Sequence, residues 1–219
     1  MKNTITVDGI SKKIKNRTIL DNISLTMESG NIYGFVGHNG SGKTMLFRAI
    51  SGLMSVDSGS IRYNDLEIRK DVPVIPSLGM TLENAGMYSD FTGFKNLKIL
   101  AGIKGNIDDE QIRAAIKRVG LDPDDKRTFR KYSLGMKQRL ALAQAFMESP
   151  DVLMLDEPTN ALDAEGIEQI RNIILEEKQR GAIVLIASHN KEDIGLLTDY
   201  VYSISDGQVS PERKDKTDE

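Results

Sequence analysis

The sequence predicts an α/β protein built on a mainly parallel sheet with helices on both faces. Two observations carry that reading. Short runs of apolar residues at 32–36, 152–155 and 182–187 alternate with longer segments whose apolar residues recur at helical spacing, as in a parallel sheet and its crossovers. The first of those runs leads straight into Gly37-His38-Asn39-Gly40-Ser41-Gly42-Lys43-Thr44, which fits G-x-x-x-x-G-K-[ST] at every fixed position. Apolar residues at 46, 49, 50 and 53 follow, so the motif stands between a buried strand and a helix start. In that place its glycines let the backbone close on an anion, successive N–H groups point inward, and the helix adds its positive end. Lys43 is placed to reach the β- and γ-phosphates and the Thr44 hydroxyl to ligate Mg²⁺, while His38 fills a variable slot. The chain is therefore expected to bind a nucleoside triphosphate.

Composition narrows the setting. A chain of 219 residues allows one substantial domain, or one domain with an inserted lobe. Lys+Arg 29 against Asp+Glu 32 leaves a net charge of −3, which gives no general pull toward nucleic acid. With no cysteine there is neither a disulfide framework nor thiolate chemistry, which suits a cytosolic protein. The first residues contain no apolar signal segment, and the longest clearly apolar run, 182–187, falls far short of the ~20 residues of a membrane helix.

Taken in order, residues 4–10 and 19–27 alternate as strands, with Ile5, Val7, Ile19, Ile23, Leu25 and Met27 on the apolar side. The basic link 11–17 reads equally as a solvated loop or a ligand contact. Residues 28–31 form a turn before the strand that feeds the phosphate loop. Residues 59–68 read as one alternating strand, 71–76 as a proline-broken loop and 77–82 as a further strand. From 83 to about 120 helical patterns (Phe94, Leu97, Leu100, Ala101; Ile112, Ala115, Ile116, Val119) run without a strand, as an inserted helical lobe with Asp108 or Asp109 as a helix cap. A charged connector at 123–130 precedes a helix opened by Ser133 and stopped at Ser149-Pro150. The helix over 163–180 separates the last two buried strands. These elements make a single domain over 1–209, with its α/β core at 1–82 and 150–209 and the lobe at about 83–149. The tail 210–219, polar after Ser210, is expected to be disordered.

The remaining chemistry sits at strand ends. The strand 152–155 runs into Asp156-Glu157, and in a parallel sheet that end opens on the ligand crevice. Asp156 there can hold Mg²⁺, and Glu157 can orient and deprotonate the water that attacks a γ-phosphate. The strand 182–187 ends at Ser188-His189, which puts His189 beside the same phosphate.

Tyr132-Ser133-Leu134-Gly135-Met136-Lys137-Gln138-Arg139, just ahead of the Asp156-Glu157 strand, resembles the signature of ABC transporter ATPase subunits, whose usual form is Leu-Ser-Gly-Gly-Gln. The likeness runs from about residue 3 to 208 with the motifs in the family's order. It implies an ABC-type P-loop fold with an N-terminal antiparallel β region and an inserted helical lobe. It further implies ATP and Mg²⁺ as ligands, hydrolysis, and a homodimer on ATP binding in which Ser133 and Gly135 of one subunit meet the γ-phosphate held by the other. Asn160-Ala161-Leu162-Asp163 resembles the family's dimer-facing loop and His189 its switch histidine. An integral membrane permease is the implied partner, met near residues 83–94, where Tyr88, Phe91 and Phe94 cluster; the subunit is then cytoplasmic, peripheral on the inner face of the membrane. No nucleic-acid partner is expected.

Departures from the family pattern are specific. Leu134 and Met136 replace Gly and Gln, and Ala161 and Ala164 replace Gly and Pro. Glu83 stands where a lobe-linking glutamine is usual and adds a carboxylate that can ligate Mg²⁺. Ile14 stands where an aromatic ring stacks on adenine. Leu134, Glu83 and the following 84–88 resemble the bacterial multidrug, bacitracin and lantibiotic export and immunity branch. Two rivals remain in view. A soluble ABC-type ATPase acting on ribosomes or DNA normally carries two cassettes or a long insertion, which this chain lacks. A GTPase is suggested by Asn190-Lys191-Glu192-Asp193, but it leaves the 132–139 motif unexplained.

Overall fold

The computed structural model describes residues 2–81 and 86–212. The chain opens with an antiparallel hairpin, β1 (Thr4–Ile14) and β2 (Arg17–Glu28), closed by the two-residue turn Lys15-Asn16. Lys15 takes a left-handed φ of 53°, as such turns require. Strand β3 (Ile32–Val36) enters the phosphate loop and α1 (Lys43–Ser51) leaves it. Strands β4 (Ser58–Tyr63) and β5 (Leu66–Glu67) return to the hairpin sheet, whose order is β2-β1-β4-β5. After β6 (Leu78–Thr81) come the lobe helices α2 (Gly93–Lys104) and α3 (Asp109–Arg118), a 3-10 turn at Phe129–Lys131, and α4 (Leu134–Phe146). The chain then forms β7 (Val152–Asp156), α5 (Ala164–Arg180), β8 (Ile183–Ala187), α6 (Lys191–Leu197), β9 (Tyr200–Ser205) and β10 (Gln208–Glu212).

The second sheet has the order β10-β9-β3-β8-β7-β6, parallel throughout except for the antiparallel β9–β10 pair. Alternate residues of its central strands feed two cores. Leu153, Leu155, Val184 and Ile186 face the helices α2 to α5, and Val152, Met154, Ile183 and Leu185 face α1 and the antiparallel sheet. The fold class expected from the sequence is the one observed, with one refinement: the antiparallel sheet, with α1, covers the second face. Helix α4 joins lobe to core. Its Ala145 carbonyl lies so near β6 that a Cβ on Gly79 would come within 2.0 Å of it.

Three expectations are corrected. The 11–17 link is mostly strand, because Lys12, Lys13 and Ile14 pair with Leu20, Thr18 and Arg17. The 59–68 strand is broken by a turn at Asn64-Asp65, with Asn64 at φ 53°. The tail does not begin at 210: Ser210, Pro211 and Glu212 pair with Ser203, Tyr202 and Val201, so backbone pairing holds this polar segment on the sheet edge. Residues 213–219 of that tail lie outside the described residues. Asp108 caps α3 as anticipated, within a capping box completed by Gln111.

Candidate active site

The phosphate loop gets its shape from residues with no alternative. Gly37, Gly40 and Gly42 have φ of 157°, 80° and 113°. A Cβ on Gly37 would lie 2.4 Å from the Ile204 carbonyl, whereas at Gly40 it would meet nothing within 4 Å, which leaves that face of the loop open to a ligand. The Lys43 ammonium reaches back across the loop and donates to the Gly37 carbonyl at 2.7 Å and the His38 carbonyl at 3.2 Å. Its cationic end is thereby held over the loop mouth. The Thr44 hydroxyl donates to Asp156 Oδ2 at 2.7 Å, joining the start of α1 to the end of β7 across 112 residues.

The end of β7 carries the second group. Glu157 adopts a left-handed φ of 47°, uncommon for a residue with a side chain, and its N–H donates to the Ala187 carbonyl at 2.8 Å. This turn aims its carboxylate at the end of β8. There Oε1 meets His189 Nδ1 at 2.8 Å, and Oε2 lies 3.4 Å from both the Ser188 hydroxyl and the His189 N–H. From α4, Gln138 Nε2 donates to the carbonyls of Glu157 and Pro158, each at 3.1 Å.

A cleft of about 440 Å³ unites these parts, lined among others by Lys43, Thr44, Asp156, Glu157, Asn160 and His189, with Arg17 and Ile19 also on its wall. Residues read as one site from distant stretches of the sequence are thus gathered in one place. Thr44 and Asp156 offer two hard oxygen donors in contact, a set that fits Mg²⁺, which takes few protein ligands and completes its shell with phosphate and water. Among the described residues no three acidic or histidine side chains form a metal cage, so any cation here leans on its ligand's oxygens.

Not every expected residue joins the cleft. Ser133 caps α4, accepting from the Met136 N–H at 3.2 Å, and neither it nor Gly135 is on the cleft wall. Gly135 is instead where α4 meets the loop after Glu157: a Cβ there would lie 2.8 Å from the Ala161 carbonyl. Glu83 lies outside the described residues. Ile14 is 41% exposed and does not line the cleft; its cross-strand partner Arg17 does. Ile19 and Gln138 were not singled out by the sequence. Ile19 looks like any strand residue, and Gln138 is marked only by lying inside the signature-like stretch. Asn190 caps α6, and Asp193 is buried against Arg171, so the Asn190-to-Asp193 tetrapeptide starts a helix and presents no base-reading carboxylate.

The ABC transporter family profile matches residues 20–160. The ABC transporter ATP-binding protein YybJ of Bacillus subtilis is 47% identical over 96% of both chains. The lantibiotic transport ATP-binding protein SrtF of Streptococcus pyogenes is 34% identical over 95% of this chain and 90% of its own. The bacitracin transport ATP-binding protein BcrA of Enterococcus faecalis is 33% identical over 97% of this chain and 70% of its own. Among solved structures, a dimeric bacterial ABC transporter cassette superposes with a TM-score of 0.86 at 19% identity, covering 96% of this chain and 98% of that one. A nucleotide-free ABC transporter cassette gives 0.82 at 20% identity, covering 96% and 91%.

Proposed function

From the premise that this chain belongs to the ABC transporter family, as an ATP-binding and ATP-hydrolysing subunit, we propose that it powers export through a separate membrane-embedded permease, with Glu157 as the catalytic base. The observation that carries the site assignment is the single cleft shared by Lys43, Thr44, Asp156, Glu157 and His189. ATP sits with its phosphates in the loop of residues 37–44, and Lys43 compensates the charge of the β- and γ-phosphates. Glu157 takes a proton from water as the water oxygen attacks the γ-phosphorus and ADP departs. His189, bonded to the same carboxylate at 2.8 Å, holds its orientation. Thr44 and Asp156 would hold Mg²⁺, with Glu83 as a further proposed ligand, and the cation would supply positive charge against the phosphates.

Ser133 and Gly135 are off the cleft yet at a helix N-terminus, where an anion is favoured. They serve the nucleotide of a second copy, so the working unit is a homodimer closed by ATP. The lantibiotic and bacitracin transport relatives support the export reading. No helix among the described residues is long and apolar enough to cross a membrane; in this reading the permease provides the path for cargo and the subunit works against its cytoplasmic face. The proposed permease contact is the stretch 83–94, in whose described part Tyr88 is 56% exposed and lies 5.4 Å, ring to ring, from Phe91.

Replacing Glu157 by Gln tests this. The variant is expected to bind MgATP, to lose turnover by about 10²–10⁴-fold, and to elute as a dimer in gel filtration with ATP. Full activity removes Glu157 from the mechanism, and a monomer at high protein concentration with ATP removes the sandwich. Co-purification with a polytopic membrane protein rather than with ribosomes separates the transporter from the soluble alternative.

A further inference from the structure

Behind the cleft the chain buries a polar cluster that hydrolysis as described leaves without a task. Asp193 is fully buried, and Arg171 and Thr159 are 5% and 6% exposed. The Thr159 hydroxyl donates to Asp193 Oδ2, and Arg171 Nε donates to Asp193 Oδ1 at 2.8 Å. Arg171 also reaches Glu168 at 2.8 Å and Glu192 at 3.3 Å. A buried carboxylate needs a partner, and among the described residues Arg171 supplies the opposite charge. The bond from Thr159 adds something else: it ties the loop after Glu157 to helix α6.

The positions of the two ends give that tie its meaning. Thr159 lies two residues after Glu157, and Asp193 four residues after His189, with Asn190 capping the helix between them through the N–H groups of Glu192 and Asp193. The same two segments are already joined by Glu157 Oε1 and His189 Nδ1 at 2.8 Å. Two bridges between two segments close a ring. One bridge alone permits pivoting, whereas two fix the angle as well as the distance. The loop needs such a hold, since Glu157 keeps a left-handed backbone that surrounding structure has to impose.

We infer that Thr159 and Asp193, backed by Arg171, are positioning residues that keep the Glu157 carboxylate and the His189 ring in register at the γ-phosphate end of the cleft. The inference rests on Glu157 as base. It also gives the Asn190-to-Asp193 stretch a task unrelated to base recognition.

The test compares purified Thr159→Val, which keeps the shape and loses the hydroxyl, with Thr159→Ser, which keeps the hydroxyl, and with Glu157→Gln. Steady-state ATP hydrolysis is measured where circular dichroism shows all three folded. Thr159→Val is expected to lower kcat by about tenfold or more while KM for ATP stays within about twofold, and Thr159→Ser to restore kcat to within about twofold of wild type. A fold-stabilising role alone would not produce that split in a folded protein. Wild-type kcat in Thr159→Val, or equal loss in Thr159→Ser, overturns the positioning role. If Glu157→Gln is slow while Thr159→Val is fully active, the base assignment stands and only the positioning falls. An active Glu157→Gln overturns the base assignment, and the positioning of that base with it.

Discussion

Lys43 is buried, and its ammonium is bonded to two carbonyls of its own loop, so its charge is held at the loop mouth by the backbone it serves. Lys43→Ala is expected to lower ATP turnover by at least about 10²-fold, as loss of a preorganised charge-stabilising group does. The fold should remain, which circular dichroism checks. Arg17 is on the cleft wall, and Ile14, its direct cross-strand partner, projects to the same face of the hairpin without lining the cleft. With no ring there, ATP and GTP are expected to bind with similar affinity. Ile14→Tyr is expected to tighten ATP binding by about 5–100-fold if its ring stacks on the base. Titration of wild type and variant with both nucleotides checks this; a strong wild-type preference for ATP would assign the base to Arg17 and Ile19. At this scale the sequence was legible where chemistry demands fixed letters, as in the loop of residues 37–44 and in Asp156-Glu157. It was silent on Gln138, because a side chain that bonds two carbonyls nineteen and twenty residues away leaves no local pattern.

Among the elements, β6 and α4 pack backbone to backbone at Gly79. Gly79 faces the Ala145 carbonyl with space for a hydrogen only, and the obstacle is backbone, which cannot rotate aside. Gly79→Ala is therefore expected to destabilise the protein by about 2–4 kcal/mol, read as a lowered Tm, since overpacking against main chain forces an element to move. Elements with internal periodicity were the ones the sequence revealed: β3, β7 and β8 as continuous apolar runs, α3 by its spacing and cap. Those held mainly by pairing were not. The basic residues of the hairpin tip hide a strand because both faces of that ribbon end are wet. On both sides of Asn64-Asp65 apolar residues alternate, Ile61 and Tyr63 before it and Leu66 and Ile68 after it, so two strands read as one although the alternation slips by one residue at the turn. Strand β10 is polar at Ser210 and Glu212 and is ordered by its ladder to β9, which no local propensity announces.

For the molecule as a whole, the helical lobe and the core are joined by α4 and by an ionic seam that is buried at Glu177. Arg118 at the end of α3 meets Glu177 at 2.6 Å and Glu176 at 2.8 Å on α5, and Glu177 is 2% exposed. The buried Glu177 is shared between Arg118 and Arg180, whose guanidinium lies 2.7 Å from its other oxygen, so its charge is balanced from both sides. Strand order was beyond the sequence: nothing in residues 200–205 says that they lie beside residues 33–36. The position of β8, between β3 and β7 and between two hydrophobic cores, sets how the protein breathes. Its amides can be released to solvent only when both cores open, so their hydrogen exchange should follow global unfolding. Helices α2 and α3 share one core, and their amides should exchange at least about tenfold faster, through opening of the lobe alone. Exchange mass spectrometry that gave one common rate for α2, α3 and β8 would instead make lobe and core a single cooperative unit. With separate rates, Glu157 and His189, just beyond the ends of β7 and β8, would be anchored by the strands that open last.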